Sequence, residues 1–152
     1  MTQKTANMGL VEKVSNLGDL KEIGWESVSV KEEMRKNLIA RMKSDQVTFD
    51  GILGYEETVI PQIQQAILAK HDFILLGLRG QGKTRLLRQM IYLLDEHMPI
   101  VKGSIINDDP FRPLSRFARE TLQDMGDDTP IAWVSREERF SEKLATPDTT
   151  VS

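Results

Sequence analysis

Apolar positions along this chain recur at two spacings, and each change of spacing marks an element. Val30, Met34, Leu38 and Met42 fall four apart, which places them on one stripe of a helix. Ser29 precedes that stripe and Glu32 follows it by three, the spacing of a capping box. Glu32 and Lys36 are set as an i, i+4 pair. The stretch "TFDGILGYEE", with Gly51 and Gly54, reads as turn chemistry leading into a helix over about Thr58 to Lys70. Its apolar face is Val59, Ile63, Ala66 and Ile67, and Pro61 fits only near its first turn. Phe73 to Leu76 is a short unbroken apolar run between His71-Asp72 and Gly77, which predicts a buried strand. From Lys83 the spacing is helical again through Leu86, Leu87, Met90, Ile91 and Leu94, and that helix should end before Pro99.

Further along, a second short strand is predicted near Ser104 to Ile106. A helix follows over "PLSRFARETLQDMG", with Leu114, Phe117, Ala118 and Leu122 inward and Gly126 as its stop. "PIAWVS" predicts a third short strand. The first thirty or so residues, interrupted by Gly9, Gly18 and Gly24, read as a loosely ordered arm whose Leu17, Leu20, Ile23 and Trp25 can dock on the remainder. From Ser141 onward no periodicity stands out.

Composition narrows the chemistry. The chain has 152 residues, 39% of them hydrophobic and 28% charged. That is enough for one ordinary domain. A formal net charge of -3 and an isoelectric point near 5.5 argue against a broadly basic surface, so no nucleic-acid partner is expected. There is no cysteine and there are only two histidines. Disulfides, thiolate zinc sites and cysteine nucleophiles are thereby excluded. No apolar stretch approaches the ~20 residues needed to cross a bilayer, and "MTQKTANMGLVEKV" carries no secretory core. No membrane partner is expected, and the expected location is the cytoplasm.

The sharpest signal is the loop Gly77-Leu78-Arg79-Gly80-Gln81-Gly82-Lys83-Thr84, which matches G-x-x-x-x-G-K-[ST] at every fixed position. Gly77, Gly80 and Gly82 permit backbone conformations and close approaches that a side chain would forbid. The amides of the loop, those of Leu78, Arg79 and Gln81 included, then form an anion-binding nest. The helix that begins near Lys83 adds its positive end. Lys83 is suited to the β- and γ-phosphates, and Thr84 to Mg²⁺. A nucleoside triphosphate with Mg²⁺ is therefore the expected ligand. The side chains of Arg79 and Gln81 are read as solvated.

Hydrolysis needs more: an acidic residue at a strand end and a group that orients water. "MIYLLDE" ends in Asp95 and Glu96 but begins six residues after Thr84 and continues the helical spacing, so these two acids read as a solvated helix end. Asp108 and Asp109 in "INDDP" read as a turn before Pro110 with an Asx cap on the next helix. Neither D-x-x-G nor N-K-x-D follows the loop, so adenine is preferred to guanine by elimination. A small P-loop kinase ranks last: Arg112, Arg116, Arg119, Arg136 and Arg139 supply charge without a recognisable lid.

The segment "ILGYEETVIPQIQQAILAKHDFILLGLRGQGKTRLLRQM", Ile52 to Met90, resembles the N-terminal part of AAA+ ATPases of the magnesium chelatase ATPase-subunit type and their MoxR-like relatives. "INDDPFRPLSRFARETLQDMGDDTPIAWVSREERFSEKLATPD" is similar to the continuation in magnesium-chelatase-like members, so the likeness spans roughly residues 46 to 152. It implies an α/β P-loop sandwich with a parallel sheet, incomplete, over 46–152, preceded by an arm and amphipathic helix over 1–45. It also implies ATP bound between the subunits of a homo-oligomeric ring, with hydrolysis coupled to remodelling of a partner. Ile52, Gly54 and Tyr55 match the segment that lies against adenine in such proteins; on pattern alone Ile52 and Tyr55 can equally pack under the sheet. The family's Walker B strand, sensor and arginine finger have no counterpart before Ser152. The expectation is a truncated member that binds ATP without hydrolysing it well, or a non-catalytic nucleotide-binding scaffold.

Overall fold

The computed structural model describes residues 8–52, 54, 57–77 and 82–143. In chain order the elements are α1 (Met8–Val11), α2 (Leu17–Glu22), α3 (Val30–Lys43), α4 (Val59–Leu68), α5 (Lys83–Gln89), a 3₁₀ turn (Met90–Leu93), β1 (His97–Val101), α6 (Arg116–Met125), a second 3₁₀ turn (Gly126–Asp128) and β2 (Ile131–Ser135).

Local chemistry explains where the longer helices begin. Ser29 is extended, and its hydroxyl accepts from the Glu32 amide at 3.2 Å. Helix α3 thus starts at its expected cap. Glu32 does not pair with Lys36. It lies between Lys70, at 3.0 Å, and Arg35, at 3.5 Å, because α4 ends beside it. Only the middle of the expected α3 stripe is inside: Leu38 is fully buried and Met34 packs on the core, whereas Val30 and Met42 are exposed. In α4, Ile60, Ile63 and Ile67 face inward, and Pro61 occupies the first turn as expected. Ser115 caps α6 through the Ala118 amide, and Gly126 ends it with a positive φ, the usual place for a glycine stop. Ala118 of α6 is buried and Leu122 partly so, but Leu114 and Phe117, expected inward, are exposed.

Two apolar clusters hold these elements. The first joins α3, α4 and α5 through Leu38, Ile63, Ile67, Leu86 and Leu93, with Phe49 and Ile52 from the intervening turn. The second is built by the N-terminal residues. Val14, Leu17 and Leu20 are buried, with Trp25, Phe111, Leu122 and Trp133 packed around them. Trp25 and Trp133 meet edge to face with ring centroids 5.7 Å apart, a favoured aromatic geometry. The Trp133 indole donates to the Val14 carbonyl at 3.2 Å. Backbone bonds from Leu17 to Thr129 and from Ile131 to Ser15 tie the same segment to the start of β2. The arm expected to be loose is therefore folded from α1 through Trp25, and the four side chains expected to dock do so.

The strands depart from expectation. Among the described residues the sheet is two-stranded and antiparallel, β1 against β2, with Val101 opposite Ile131 and His97 opposite Ser135. β2 lies where "PIAWVS" predicts it. The strand expected near Ser104 to Ile106 lies instead at His97–Val101, because the chain after Val101 folds back on itself: the Val101 amide bonds the Asp108 carbonyl at 2.9 Å, and Gly103 and Asn107 take positive φ. Pro99 is tolerated within β1 because both strands of so small a sheet are edges. Phe73 to Leu76 forms no strand. Phe73 and Leu75 pack on the first cluster, while Ile74 and Leu76 are 84% and 91% exposed, with no ladder partner among the described residues. The period-two pattern is present, but the burial of both faces expected for this run is not.

Candidate functional site

The glycine-rich loop leaves the first core at Leu75 and returns at Leu86. Gly82 is the residue that makes the return possible. Its φ of 72° and ψ of 11° are left-handed, and it stands at the N-cap of α5. Such a conformation is open to glycine and strained for most side chains. No side chain caps that end, and the first helical bond runs from the Leu86 amide to the Gly82 carbonyl at 2.9 Å. The Lys83 ammonium reaches back and donates to the Gly77 carbonyl at 2.8 Å, so the two ends of the loop are drawn together across six positions. Leu78, Arg79, Gly80 and Gln81 lie outside the described residues, as does Tyr55.

Thr84, the residue expected to meet Mg²⁺, is exposed in the first turn of α5. It lines a cleft of about 610 Å³ with Leu87 and Ile91 from its own face, Met34 from α3, and Arg139 and Phe140 from the segment after β2. The other flank of α5 holds the turn that carries Ile52 and Gly54. Gln89 donates to the Asp50 carbonyl at 2.5 Å, and Gly51, beside the Arg85 guanidinium, has a φ of 70° that favours glycine. Ile52 is buried in the first cluster alongside Leu86. Gly54 is exposed with a φ of 89°.

The acidic residues that follow the loop in sequence have occupations of their own. Asp108 is buried, and its carboxylate accepts from the Ser104 hydroxyl at 2.7 Å, the Leu114 amide at 2.7 Å, and the amide and hydroxyl of Ser115 at 2.9 Å and 2.5 Å. Burial pushes its pKa up, but these donors together outweigh burial and hold it well below the usual carboxylate range, as donors to a charged form do. Asp109 accepts from the Phe111 amide at 2.8 Å, which makes an Asx turn. Both therefore serve the expected turn before α6, but that helix is capped by Ser115 and not by the aspartate expected to cap it.

Asp95 does not match its expected place on a solvated helix end. It is half-buried, and Asn37 of α3 donates to its carboxylate at 2.9 Å and to the Leu93 carbonyl at 2.8 Å. The Asp95 amide donates to Glu33 at 3.0 Å, and Glu33 also receives both terminal nitrogens of Arg139, at 2.8 Å and 2.6 Å. The Glu33 and Arg139 side chains are each only 7% exposed. Pattern reading missed this cluster. Its one trace in the sequence is Glu33 and Asn37, a polar i, i+4 pair directly beside the Met34–Leu38 stripe.

Burial above all raises the pKa of Asp95, with the nearby Glu33 charge adding to it, although the Asn37 bond opposes the shift. A carboxyl raised on folding stabilises the fold at low pH, and that contribution is lost as pH rises through the folded value. Asp95→Asn keeps an acceptor for Asn37 and removes the charge. It should raise stability at neutral pH by on the order of 0.5–1 kcal/mol, a small gain because solvent screens a half-exposed group. It should also flatten the fall in stability just above the ordinary carboxylate range, as read by urea unfolding at several pH values.

Among the described residues no group of three or more metal-ligating side chains is gathered, and no helix is long and apolar enough to cross a membrane. No protein-family model, curated protein or solved structure matches this chain.

Proposed function

We propose that residues 77–84 bind the triphosphate of ATP with Mg²⁺, and that this chain is an AAA+ ATPase module of the magnesium-chelatase-like type acting in the cytoplasm. The observation that carries the reading is the closure of the motif. A left-handed Gly82 opens α5, and the Lys83 ammonium lies across the loop on the Gly77 carbonyl. An anion entering there meets the ammonium, whose charge-assisted bonds to phosphate oxygens are stronger than one to a neutral carbonyl. Thr84 stands beside them with its hydroxyl available to a cation. The parallel-sheet sandwich, the homo-oligomeric ring and the remodelling of a partner belong to the same proposal, by resemblance.

Titration calorimetry with Mg-ATP tests it. Lys83→Ala removes a charge-assisted contact worth about 1.5–3 kcal/mol, so affinity should fall by at least about tenfold. Gly82→Ala should weaken binding as well, because alanine disfavours the left-handed N-cap. Unchanged affinity in Lys83→Ala would refute the P-loop reading.

A second reading, binding without efficient turnover, draws support from the occupied carboxylates. Asp108 is saturated by its four donors, and Asp95 is engaged by Asn37. A nucleotide-binding scaffold would bind Mg-ATP in calorimetry and release no phosphate at high protein concentration. An ATPase module would do both.

A further inference from the structure

The loop between β1 and α6 carries apolar side chains where a loop ordinarily carries polar ones. Ile105 is 96% exposed, and Ile106, Leu114 and Phe117 are exposed with it. Single exposed apolar residues are commonplace, whereas a gathered set marks a contact surface. These are gathered by the buried Asp108. Its carboxylate takes the Ser104 hydroxyl from one side of the loop, and the Leu114 amide and Ser115 from the other. The Val101–Asp108 backbone bond closes the neck of the loop, and the Phe117 ring packs so near Gly103 that an added Cβ would lie 3.3 Å from it. Two isoleucines are thus presented at the tip of a braced projection.

The charges around it are uneven. Residues 102 to 119 hold Lys102, Arg112, Arg116 and Arg119 against only Asp108 and Asp109, in a chain whose net charge is -3. Asp108 is buried, and Asp109 accepts from Phe111 and Ser27. Arg116 pairs with Glu120 at 2.6 Å, and Arg119 bonds the Pro113 carbonyl. Lys102 and Arg112 are exposed and make no ion pair among the described residues. The exposed apolar residues and this excess of positive charge therefore share one short stretch of the chain.

We infer that this projection docks on an anionic lipid bilayer surface, with Ile105, Ile106 and Leu114 entering the headgroup boundary and Lys102, Arg112 and Arg119 lying against lipid phosphates. Charge complementarity selects the lipid. Exposure selects a bilayer over a peptide: a peptide needs a groove, and the nearly naked Ile105 stands out from the surface. A membrane partner was not expected because no stretch is long enough to cross. Lying on a surface requires only a few apolar side chains backed by cations, each worth about fivefold in affinity at an anionic leaflet. The loop shares no residue with the proposed ATP site, so the two readings stand or fall separately.

Co-sedimentation of the full chain with vesicles tests the inference. Binding is expected to vesicles of phosphatidylcholine and phosphatidylglycerol in equal parts, not to phosphatidylcholine alone, and should weaken with salt. Ile105→Asp with Leu114→Asp should reduce it by at least about tenfold, and Arg112→Glu by at least about fivefold. All three side chains are exposed, so thermal unfolding of these variants should match the parent. Absence of binding to the mixed vesicles, equal binding to neutral ones, or unchanged binding by the folded variants would overturn the inference. Binding to polyglutamate but not to vesicles would overturn it in favour of an acidic protein partner.

Discussion

Arg139→Ala should destabilise the fold by about 3–5 kcal/mol. The guanidinium meets both carboxylate oxygens of Glu33 in a bidentate pair that is nearly closed to water. Without it the Glu33 carboxylate keeps only the Asp95 amide as a described donor, and its buried charge is uncompensated. The loss is a penalty for stranding one partner, not the net worth of the pair. Replacing both together, with Glu33→Leu and Arg139→Met, should therefore return stability to near that of the parent or above it. Urea unfolding separates the two cases: the midpoint should drop sharply for the single variant at similar slope and recover in the double one. Equal losses in both would mean that the pair stabilises beyond its mutual compensation. Because Arg139 and Phe140 line the cleft beside Thr84, the single variant also loosens a wall of the candidate site.

Asp108→Ala should cost roughly 3–5 kcal/mol, since it removes a charged acceptor and leaves the Leu114 and Ser115 amides without a partner. The pH dependence has a definite sign. The folded carboxyl is held below its ordinary value. Its contribution is therefore complete above the usual carboxylate range and is lost as pH falls through the lower folded value. The parent should weaken in acid below about pH 4, and the Asp108→Ala difference should shrink there. Unfolding curves recorded from neutral pH down through that range give both quantities. A difference independent of pH would show that the carboxylate charge is not what holds the turn.

Asp108 also shows how much of this protein is legible before folding. The turn it shares with Asp109 follows from residue types at fixed offsets before Pro110 and is found there, whereas α6 is capped by Ser115 and not by an aspartate. Ser29, Pro61 and Gly126 are legible for the same reason: each acts within about one helical turn. The run from Phe73 to Leu76 misleads because apolar residues in a row imply burial on two faces, and burial depends on partners from elsewhere. Asp95 misleads in the same way. Helical spacing carried it to an exposed end, but α3 packs against that end and supplies Asn37 and the neighbourhood of Glu33.

Residue order was enough for the helices α3, α4 and α6, the Ser29 cap, the Gly126 stop, and the Gly77–Thr84 motif with a helix opening at Lys83. These are short-range consequences of backbone geometry and side-chain reach. Folding in three dimensions was needed to pair β1 with β2, to bring Trp25 to Trp133, and to join Glu33 with Arg139 across 106 positions. Such contacts depend on which surfaces bury the most apolar area together and which buried charges are compensated, and neither is encoded at any fixed spacing along the chain.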